Sequence, residues 1–571
     1  MNVSQYIACF LKASGVKTAF ELSGGMIMHL LDAVHQEGGV ELINVYHEQA
    51  AAFAADAVGR MSGIPGVAFG TSGPGAINLL TGIGSSFFDS SPTVFITGQV
   101  NRHEQKGARG IRQLGFQETD IVTMAGPLTK WAHRVTDASD VPESLCHAFR
   151  TATEGRPGAV LLDIPMDVFR SQVLEPLRPW AKTPAAHPGC NLSLLEQLQT
   201  ALQNSQRPLV LAGGGIRASG SHKAFLEFVH RTQIPVVHSL LACDSLPYNH
   251  PQRVGMIGTY GNRWANLALS ECDVLLVLGS RLDIRQTGAD TESFSSGRTI
   301  FHVDVESEEI NNRIRNCVPL ITHLADFFSA AITEIGHVAC EGWASRIREL
   351  RAEWPDTKEL SGAIGINPNI LMHEISSRYQ VAAYCVDVGL HQMWAAQSLE
   401  LSDSTRFLTS GGMGAMGFSL PAALGAAFHL EKKSPVVVIA GDGGFQLNIQ
   451  ELQSIVHHQL PIKIIVANNH CHGMTRQFQD TYFGARYVGT AWGYSAPSFR
   501  KVAEAYGIPA IEVSRPEELI EAADWFWKDP LSPCLMEVQI DFATNAYPKL
   551  AFGRPISQME PLATPIEMEA T

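Results

Sequence analysis

Residues 435–444 read PVVVIAGDGG, and residues 461–469 read PIKIIVANN. Each is an apolar, largely β-branched run that gives way to a polar turn, Asp442 in the first and Asn469 in the second. Runs of that length and composition read as buried strands. Between them FQLNIQELQSIVHHQL (445–460) reads as a helix, and Pro461 restarts the chain. Together they make a strand–helix–strand unit, whose right-handed crossover sets the two strands parallel. Asp442 and Asn469 then emerge at the carboxyl edge of one sheet, where open α/β sheets take ligands. A carboxylate and an amide oxygen suit Mg²⁺, a hard ion usually completed by water and substrate phosphate. Gly441, Gly443 and Gly444 let backbone amides approach a phosphate closely. Either turn alone is an ordinary strand ending. The pair, separated by one helix, points to a diphosphate–Mg²⁺ site.

The rest of the chain bounds what that site belongs to. Its 571 residues exceed what one hydrophobic core serves and imply roughly three or four domains. Hydrophobic content of 45% with 17% charged residues describes a globular enzyme. The formal charge of −14, with no local Lys/Arg cluster, argues against nucleic acid or an anionic membrane as partner. Ten cysteines are scattered singly without a CxxC, so a reduced, cytoplasmic setting is expected. The start, MNVSQYIACFLKASGV, reads as an amphipathic helix without the basic and apolar regions of a signal peptide. No uncharged apolar stretch of helical character reaches ~20 residues, so no membrane span is expected.

Three α/β blocks follow one another, each with a mostly parallel sheet flanked by helices. The first, residues 1–175, carries the strands VELINVY, GVAFGT, PTVFITG and GAVLLDIP. A proline-rich linker (174–191) leads to the second, 192–335, with RPLVLAGGG, IPVVHS, DVLLVLGS and RTIFHVDV. A charged helical connector, GWASRIRELRAEW, precedes the third, 360–545, with YCVDVG, PVVVIAGDG, IKIIVANN and CLMEVQI. Residues 546–571 read as an irregular tail. The first and third blocks have the look of distant copies of one fold.

GDGGF…NNHCHGM resembles the binding motif of the thiamin diphosphate (ThDP) superfamily, and its surroundings resemble the acetolactate synthase (acetohydroxyacid synthase large subunit) branch. The three-block order matches that superfamily's pyrimidine, central and diphosphate domains across nearly the whole chain. The resemblance implies that Asp442 and Asn469 hold Mg²⁺ with the backbone carbonyl of Cys471. It also implies that Gly441, Gly443, Gly473 and Met474 line the diphosphate.

Further segments carry the resemblance. VELINVYHE reads as a strand whose last residues are His47 and Glu48, followed by the alanine-rich helix QAAAFAADAVGR. An isolated Glu there is a first-turn acid favoured by the helix dipole. In the family pattern, Glu48 bonds the aminopyrimidine and favours the tautomer that deprotonates thiazolium C2. GTSGPGAINLLTGIGSSFFDSSP (70–92) resembles the glycine-rich turn that borders the pyrimidine, with Pro74 at its helix start. DVGLHQMWAAQ (387–397) matches the first diphosphate turn, with His391 and Gln392 at phosphate-contacting positions and Leu390 where a glutamine is usual. In TSGGMGAMGFSLPAALGAA (409–427), Gly414 flanks the site and Met416 matches the wedge that bends the cofactor.

Substrate and flavin are addressed by other segments. GFQETD (115–120) resembles the substrate-side loop, placing Phe116 and Gln117 near C2, with Gln117 orienting substrate. LTKWAHRV (128–135) is nearer to benzaldehyde lyase-type members. Phe478 stands where biosynthetic relatives carry a tryptophan that favours 2-ketobutyrate, a difference in apolar contact worth ~1–3 kcal/mol. AGGGIRASG, GSRLDIRQTG and HVDVE resemble flavin-binding segments, so Gly214, Arg281, Arg285, Asp304 and Arg156 are expected to reach FAD. Ile257 and Ile284 depart from that pattern.

The activity implied is decarboxylation of a 2-oxo acid, pyruvate, and transfer of a two-carbon unit to a second carbonyl. Alternatives within the superfamily are a keto-sugar acceptor, a 2-hydroxyketone lyase or a diketone hydrolase; outside it stand a silent homologue and a flavin oxidoreductase. A homodimer or homotetramer is implied, its active site shared between the first domain of one subunit and the third of another.

Overall fold

The computed structural model describes residues 1–182 and 189–566. The middle of the expected linker, 183–188, and the last five tail positions, 567–571, lie outside the described residues. Three six-stranded sheets succeed one another, and every pairing within them is parallel.

The first sheet is built from β1 (Thr18–Glu21), β2 (Glu41–Asn44), β3 (Gly66–Gly70), β4 (Thr93–Gln99), β5 (Trp131–Arg134) and β6 (Ala159–Pro165). Their order is β2-β1-β3-β4-β6-β5. The central sheet uses β7 (Pro208–Ala212), β8 (Val236–His238), β9 (Arg253–Met256), β10 (Val274–Leu278), β11 (Thr299–Asp304) and β12 (Val318–Ile321). Its order is β12-β11-β10-β7-β8-β9. The third uses β13 (Ala383–Val386), β14 (Arg406–Thr409), β15 (Val436–Gly441), β16 (Ile462–Asn468), β17 (Ala510–Val513) and β18 (Cys534–Gln539), ordered β14-β13-β15-β16-β18-β17.

The first and third orders are the same permutation, second-first-third-fourth-sixth-fifth, which bears out the reading of two copies of one fold. The central order, read from β9, is third-second-first-fourth-fifth-sixth, the doubly wound order with a crevice where the winding reverses, here between β7 and β10.

The outer domains meet through two alanine-rich helices, Glu48–Ser62 and Ser419–His429. Small side chains let their backbones approach: a Cβ on Gly425 would lie 2.1 Å from the Ala54 carbonyl oxygen. The apolar cluster that includes Phe53, Ala54, Phe418 and Ala422 runs unbroken through both domains, so their relative placement is set by core packing.

Three local expectations are corrected. The strand drawn to Glu48 stops at Asn44, and Glu48 is the first residue of the helix Glu48–Ser62. His47 takes the N-cap, its Nδ1 accepting from the Gln49 amide, which ends extended pairing before Glu48. The single helix expected over 445–460 is broken into Asp442–Leu447, a 3₁₀ turn Ile449–Glu451 and Leu452–His458. Asn448 makes the break, its amide donating to the Gly417 carbonyl and Gln49. The tail is not wholly irregular: β19 (Lys549–Leu550) pairs antiparallel with β20 (Met559–Glu560), and Ile556 packs in the core of the central domain. The amphipathic first helix (Val3–Ala13) and the connector helix (Glu341–Glu353) fall where expected.

No helix among the described residues is long and apolar enough to cross a membrane. All ten cysteines are unpaired.

Candidate functional site

The carboxyl edge of the third sheet collects most of the expected residues. Gly441 of β15 lies opposite Ala467 of β16 in register, so Asp442 and Asn469 leave the sheet side by side. Asp442 is almost fully buried and begins the short helix Asp442–Leu447. Its Oδ2 accepts from the Tyr494 hydroxyl at 3.1 Å. No lysine or arginine forms an ion pair with it among the described residues, and burial pushes its carboxyl up to about 6. Of the two asparagines, Asn468 is spent internally on Glu537 and the His470 amide. The Asn469 side chain makes no hydrogen bond to another described residue and faces Gly473, where a Cβ would lie 2.6 Å from its Nδ2.

Cys471 is buried in the same turn, its thiol pushed up to about 11 by burial, so it is protonated, which leaves its carbonyl as the group able to serve as a donor. Gly473 opens the helix Gly473–Tyr482, and Met474 packs at the margin of the neighbouring core. An unpaired buried carboxylate, a free amide and a turn carbonyl are the donor chemistry of a hard divalent ion. No cluster of three His, Cys, Asp or Glu side chains suited to a metal occurs among the described residues.

Next to this edge, β13 delivers Asp387 and the helix Leu390–Ser398. His391 is buried, and burial holds its imidazole down at about 4, so the ring is neutral. Its Nε2 is buried without a hydrogen-bond partner among the described residues. The ring lies over two glycines: a Cβ on Gly389 would be 2.6 Å from its Cε1, and one on Gly441 2.8 Å from its Nδ1. Gly443 is equally confined: a Cβ there would lie 2.7 Å from His472 Nδ1 and 3.3 Å from the Met416 methyl. Buried polar groups are normally satisfied, so this neutral imidazole with a spare nitrogen fits a bound polar group such as a diphosphate. Gln392 is fully buried, and its amide nitrogen donates to Thr409 and the Ser410 carbonyl, which keeps that group inside the fold. Gly414 takes a left-handed φ of 68°, and Met416 follows half-buried in the same loop. Asp387 fixes that loop by accepting from the Gly417 amide and from both the amide and hydroxyl of Ser419.

The first domain holds the second set. Glu48 is nearly buried; its Oε2 accepts from Asn78 at 2.9 Å, and a Cβ on Gly75 would sit 3.1 Å from Oε1. Pro74 starts the helix Pro74–Phe88 after Gly73 at φ 70°. Gln117 is itself left-handed, at φ 66°, an uncommon state for a residue with a side chain. The Ser72 hydroxyl holds it there, donating to its carbonyl at 2.6 Å. Phe116 beside it is 79% exposed. No hydrogen bond or ion pair joins Glu48 or Gln117 to Asp442 or Asn469 among the described residues.

The third gathering is a cleft of about 1240 Å³, open mouth included, at the crevice of the central sheet. Arg156, Gly214, Arg281, Arg285 and Asp304 all line it, although they are scattered over the first two domains. Gly213 and Gly279, at the ends of β7 and β10, are so close that a Cβ on Gly213 would lie 2.1 Å from the Gly279 carbonyl oxygen. Burial pushes the Asp304 carboxyl up. Arg156 binds Glu306, Glu309 and Ser90. Ile257 is on the cleft wall, whereas Ile284 is exposed.

Residues 1–124 match the N-terminal TPP binding domain of thiamine pyrophosphate enzymes, 195–331 their central domain, and 387–538 their C-terminal TPP binding domain. The chain belongs to the thiamine pyrophosphate enzymes. Within that family it is of the acetolactate synthase-like branch. It is 35% identical to an acetolactate synthase large subunit of Lactococcus lactis over 96% of this chain and 94% of that one. It is 35% identical to the acetolactate synthase isozyme 2 large subunit of Escherichia coli K12 over 98% and 99%. A probable acetolactate synthase large subunit of Methanocaldococcus jannaschii is 35% identical over 100% and 96%.

Three residues of this thiamine pyrophosphate enzyme's site were missed in the sequence. Tyr494 reaches Asp442 from a loop 52 positions away, a spacing with no pattern to reveal it. Asn78, the partner of Glu48, had a signal: it lies on the helix opened by the Gly-Pro turn. Asp387 opens the quoted DVGLHQ segment, and a carboxylate just after a strand was the available cue.

Proposed function

We propose that this thiamine pyrophosphate enzyme is a Mg²⁺-dependent, decarboxylating carboligase that takes a two-carbon unit from pyruvate to a second carbonyl. The observation carrying the reading is the edge of the third sheet: among the described residues Asp442 has no lysine or arginine partner and the Asn469 side chain no hydrogen bond, and the spare Nε2 of His391 belongs to a ring set against a glycine cradle. Asp442, Asn469 and the Cys471 carbonyl would hold Mg²⁺. His391 Nε2 and the amides of Gly441, Gly443 and Gly473 would meet the diphosphate. ThDP, when bound, supplies an acidic carbon and an electron sink for the carboxylate's departure.

Glu48 is positioned to hold or release a proton at Oε1, the oxygen that Asn78 does not occupy. Gln117, fixed by Ser72, presents its amide for substrate, and Met416 shapes the floor opposite. Because no hydrogen bond or ion pair joins Glu48 or Gln117 to Asp442 or Asn469 among the described residues, we assign the two sets to one site completed across two subunits, in a homodimer or homotetramer. The relatives' printed names support pyruvate as donor. The crevice lined by Arg156, Gly214, Arg281, Arg285 and Asp304 supports FAD, in a structural role, since the reaction has no net redox step. Unpaired cysteines support a reduced, cytoplasmic setting.

The acceptor is a second question. Phe478 is 39% exposed and clusters with Tyr482 and Phe483 at ring distances of 4.7 and 5.8 Å. That smaller apolar wall favours an acceptor other than 2-ketobutyrate, with a keto-sugar or a second pyruvate as the candidates. The test is NMR of products formed from [2-¹³C]pyruvate with ThDP and Mg²⁺. Acetolactate supports the reading with pyruvate as acceptor, and acetaldehyde alone supports the donor and leaves the acceptor to be supplied. No consumption of pyruvate overturns the reading in favour of a lyase or hydrolase.

A further inference from the structure

A second cavity, of about 680 Å³ with its open mouth included, adjoins the cleft of the central sheet and shares Asp89, Ser90, Pro157, Gly214, Ala218 and Leu241 with it. All three domains wall it. Arg60, Arg217, Arg406 and Lys182 line it, against the carboxylates of Asp89 and Asp244.

Arg60 is fully committed. It pairs with Asp56 and Asp89 and donates to Ser91 and the Thr409 carbonyl. Asp89 is committed in turn, accepting from Arg60 and from the amides of Gly411 and Gly412. The remaining charges do not balance. Arg217 and Arg406 share one carboxylate, Asp244, at 3.5 and 2.8 Å. Arg217 Nη2 donates to the Asp244 carbonyl, and its buried Nε has only the long 3.5 Å ion-pair contact to Asp244, with no hydrogen bond among the described residues. Arg406 spends Nε on Asp244 and Nη1 on the Arg60 carbonyl, leaving Nη2. Lys182 has no ion pair among the described residues, and its Nζ lies 3.2 Å from the position of a Cβ on Gly63. With the Arg60 cluster included, four cations (Arg60, Arg217, Arg406, Lys182) face three carboxylates (Asp56, Asp89, Asp244), which leaves one net positive charge around the cavity. Ser90, on the wall between the two cavities, is held at φ 60°, a state that collects at ligand-binding turns.

We propose that this chamber is a second anion site, built for a phosphate group. The net positive charge favours an anion, and a phosphate group, with ≈ −1.5 to −2 near pH 7, meets it with oxygens for several donors. Arginine forks present the planar pairs of donors that phosphate accepts, and Lys182 adds a point charge. The ligand class is inorganic phosphate or a small phosphorylated metabolite. Its occupant would brace the junction of the three domains through Arg217, Arg406 and Lys182. This inference is independent of the carboligase reading.

The test uses the full chain saturated with ThDP, Mg²⁺ and FAD, titrated with inorganic phosphate against chloride at matched ionic strength, with Tm as readout. A saturable rise is expected in the wild type. Arg217→Met is expected to shift the midpoint at least about tenfold, and Lys182→Met, an exposed position that leaves the fold intact, severalfold. ThDP affinity is unchanged in both. A non-saturating rise shared by all three proteins, the behaviour of an excluded salt, overturns the proposal, as does no rise at all. Malonate in place of phosphate separates the two anion chemistries: stabilisation equal to that of phosphate overturns the phosphate assignment.

Discussion

Gly441→Ala is the sharpest perturbation of the diphosphate cradle. The new methyl would lie 2.8 Å from His391 Nδ1 and 2.9 Å from its Cε1, closer than real Cβ atoms approach. The ring has little room to retreat, because His391 is itself buried. The clash therefore displaces the imidazole or the β15 edge, an overpacking cost of about 1–3 kcal/mol. That strain falls on the groups that would meet the diphosphate, so ThDP binding is expected to weaken by about 5- to 150-fold. The assay is ThDP titration followed by tryptophan fluorescence, with Tm of the cofactor-free protein recorded in parallel. Gly425→Ala is the control. Its methyl would press on the Ala54 carbonyl between the two helices, lowering Tm while leaving ThDP affinity near wild type. A Gly441→Ala protein that binds ThDP as tightly as wild type would refute the reasoning.

Three further outcomes are expected. Mixing inactive Glu48→Gln and Asp442→Asn proteins after dissociation should restore about a quarter of wild-type turnover, because half the dimers are hybrids and each hybrid holds one intact site; no recovery would place both residues in one chain's site. Tyr494→Phe removes the donor to Asp442 and is expected to raise the Mg²⁺ concentration needed for half-maximal ThDP binding by about 2- to 10-fold, read by fluorescence; an unchanged requirement would show that the hydroxyl does not steady the metal carboxylate. His373 is clasped by Asp356 at 2.8 Å and Glu400 at 2.9 Å, and these partners raise its pKa against the opposing effect of burial. A raised folded-state pKa gives stability that is full below the ordinary histidine value and lost as pH rises through the folded one; denaturant midpoints should fall over that window in the wild type and stay flatter in His373→Gln.

The chemistry-bearing edge was legible because β15 and β16 are central strands, buried on both faces and continuously apolar, so their ends stand out. The same property hid the edges of the sheets. Edge strands such as Trp131–Arg134, Arg406–Thr409 and Ala510–Val513 are four residues long and mix polar with apolar positions, and pairing rather than composition defines them. Glu48 was found, but its place at the start of a helix depends on His47 acting as cap. The break at Asn448 is likewise tertiary, set by contacts to Gly417 and Gln49. Gln392 matched a motif position, yet the direction of its amide is fixed by Thr409 in the neighbouring strand. The return of the tail to the central domain rests on Arg263 donating to the carbonyls of Met559 and Glu560, almost three hundred residues on, a distance over which local sequence says nothing.

The central claim is that Glu48 activates the cofactor held at the Asp442–Asn469 edge. The most direct measurement is the rate of hydrogen–deuterium exchange at ThDP C2 on the enzyme, by acid quench and NMR, without any substrate. The account predicts exchange accelerated by orders of magnitude over free ThDP in the wild type. In Glu48→Gln protein that still binds the cofactor, exchange should fall back to the free rate. Equal acceleration in both proteins would contradict the account.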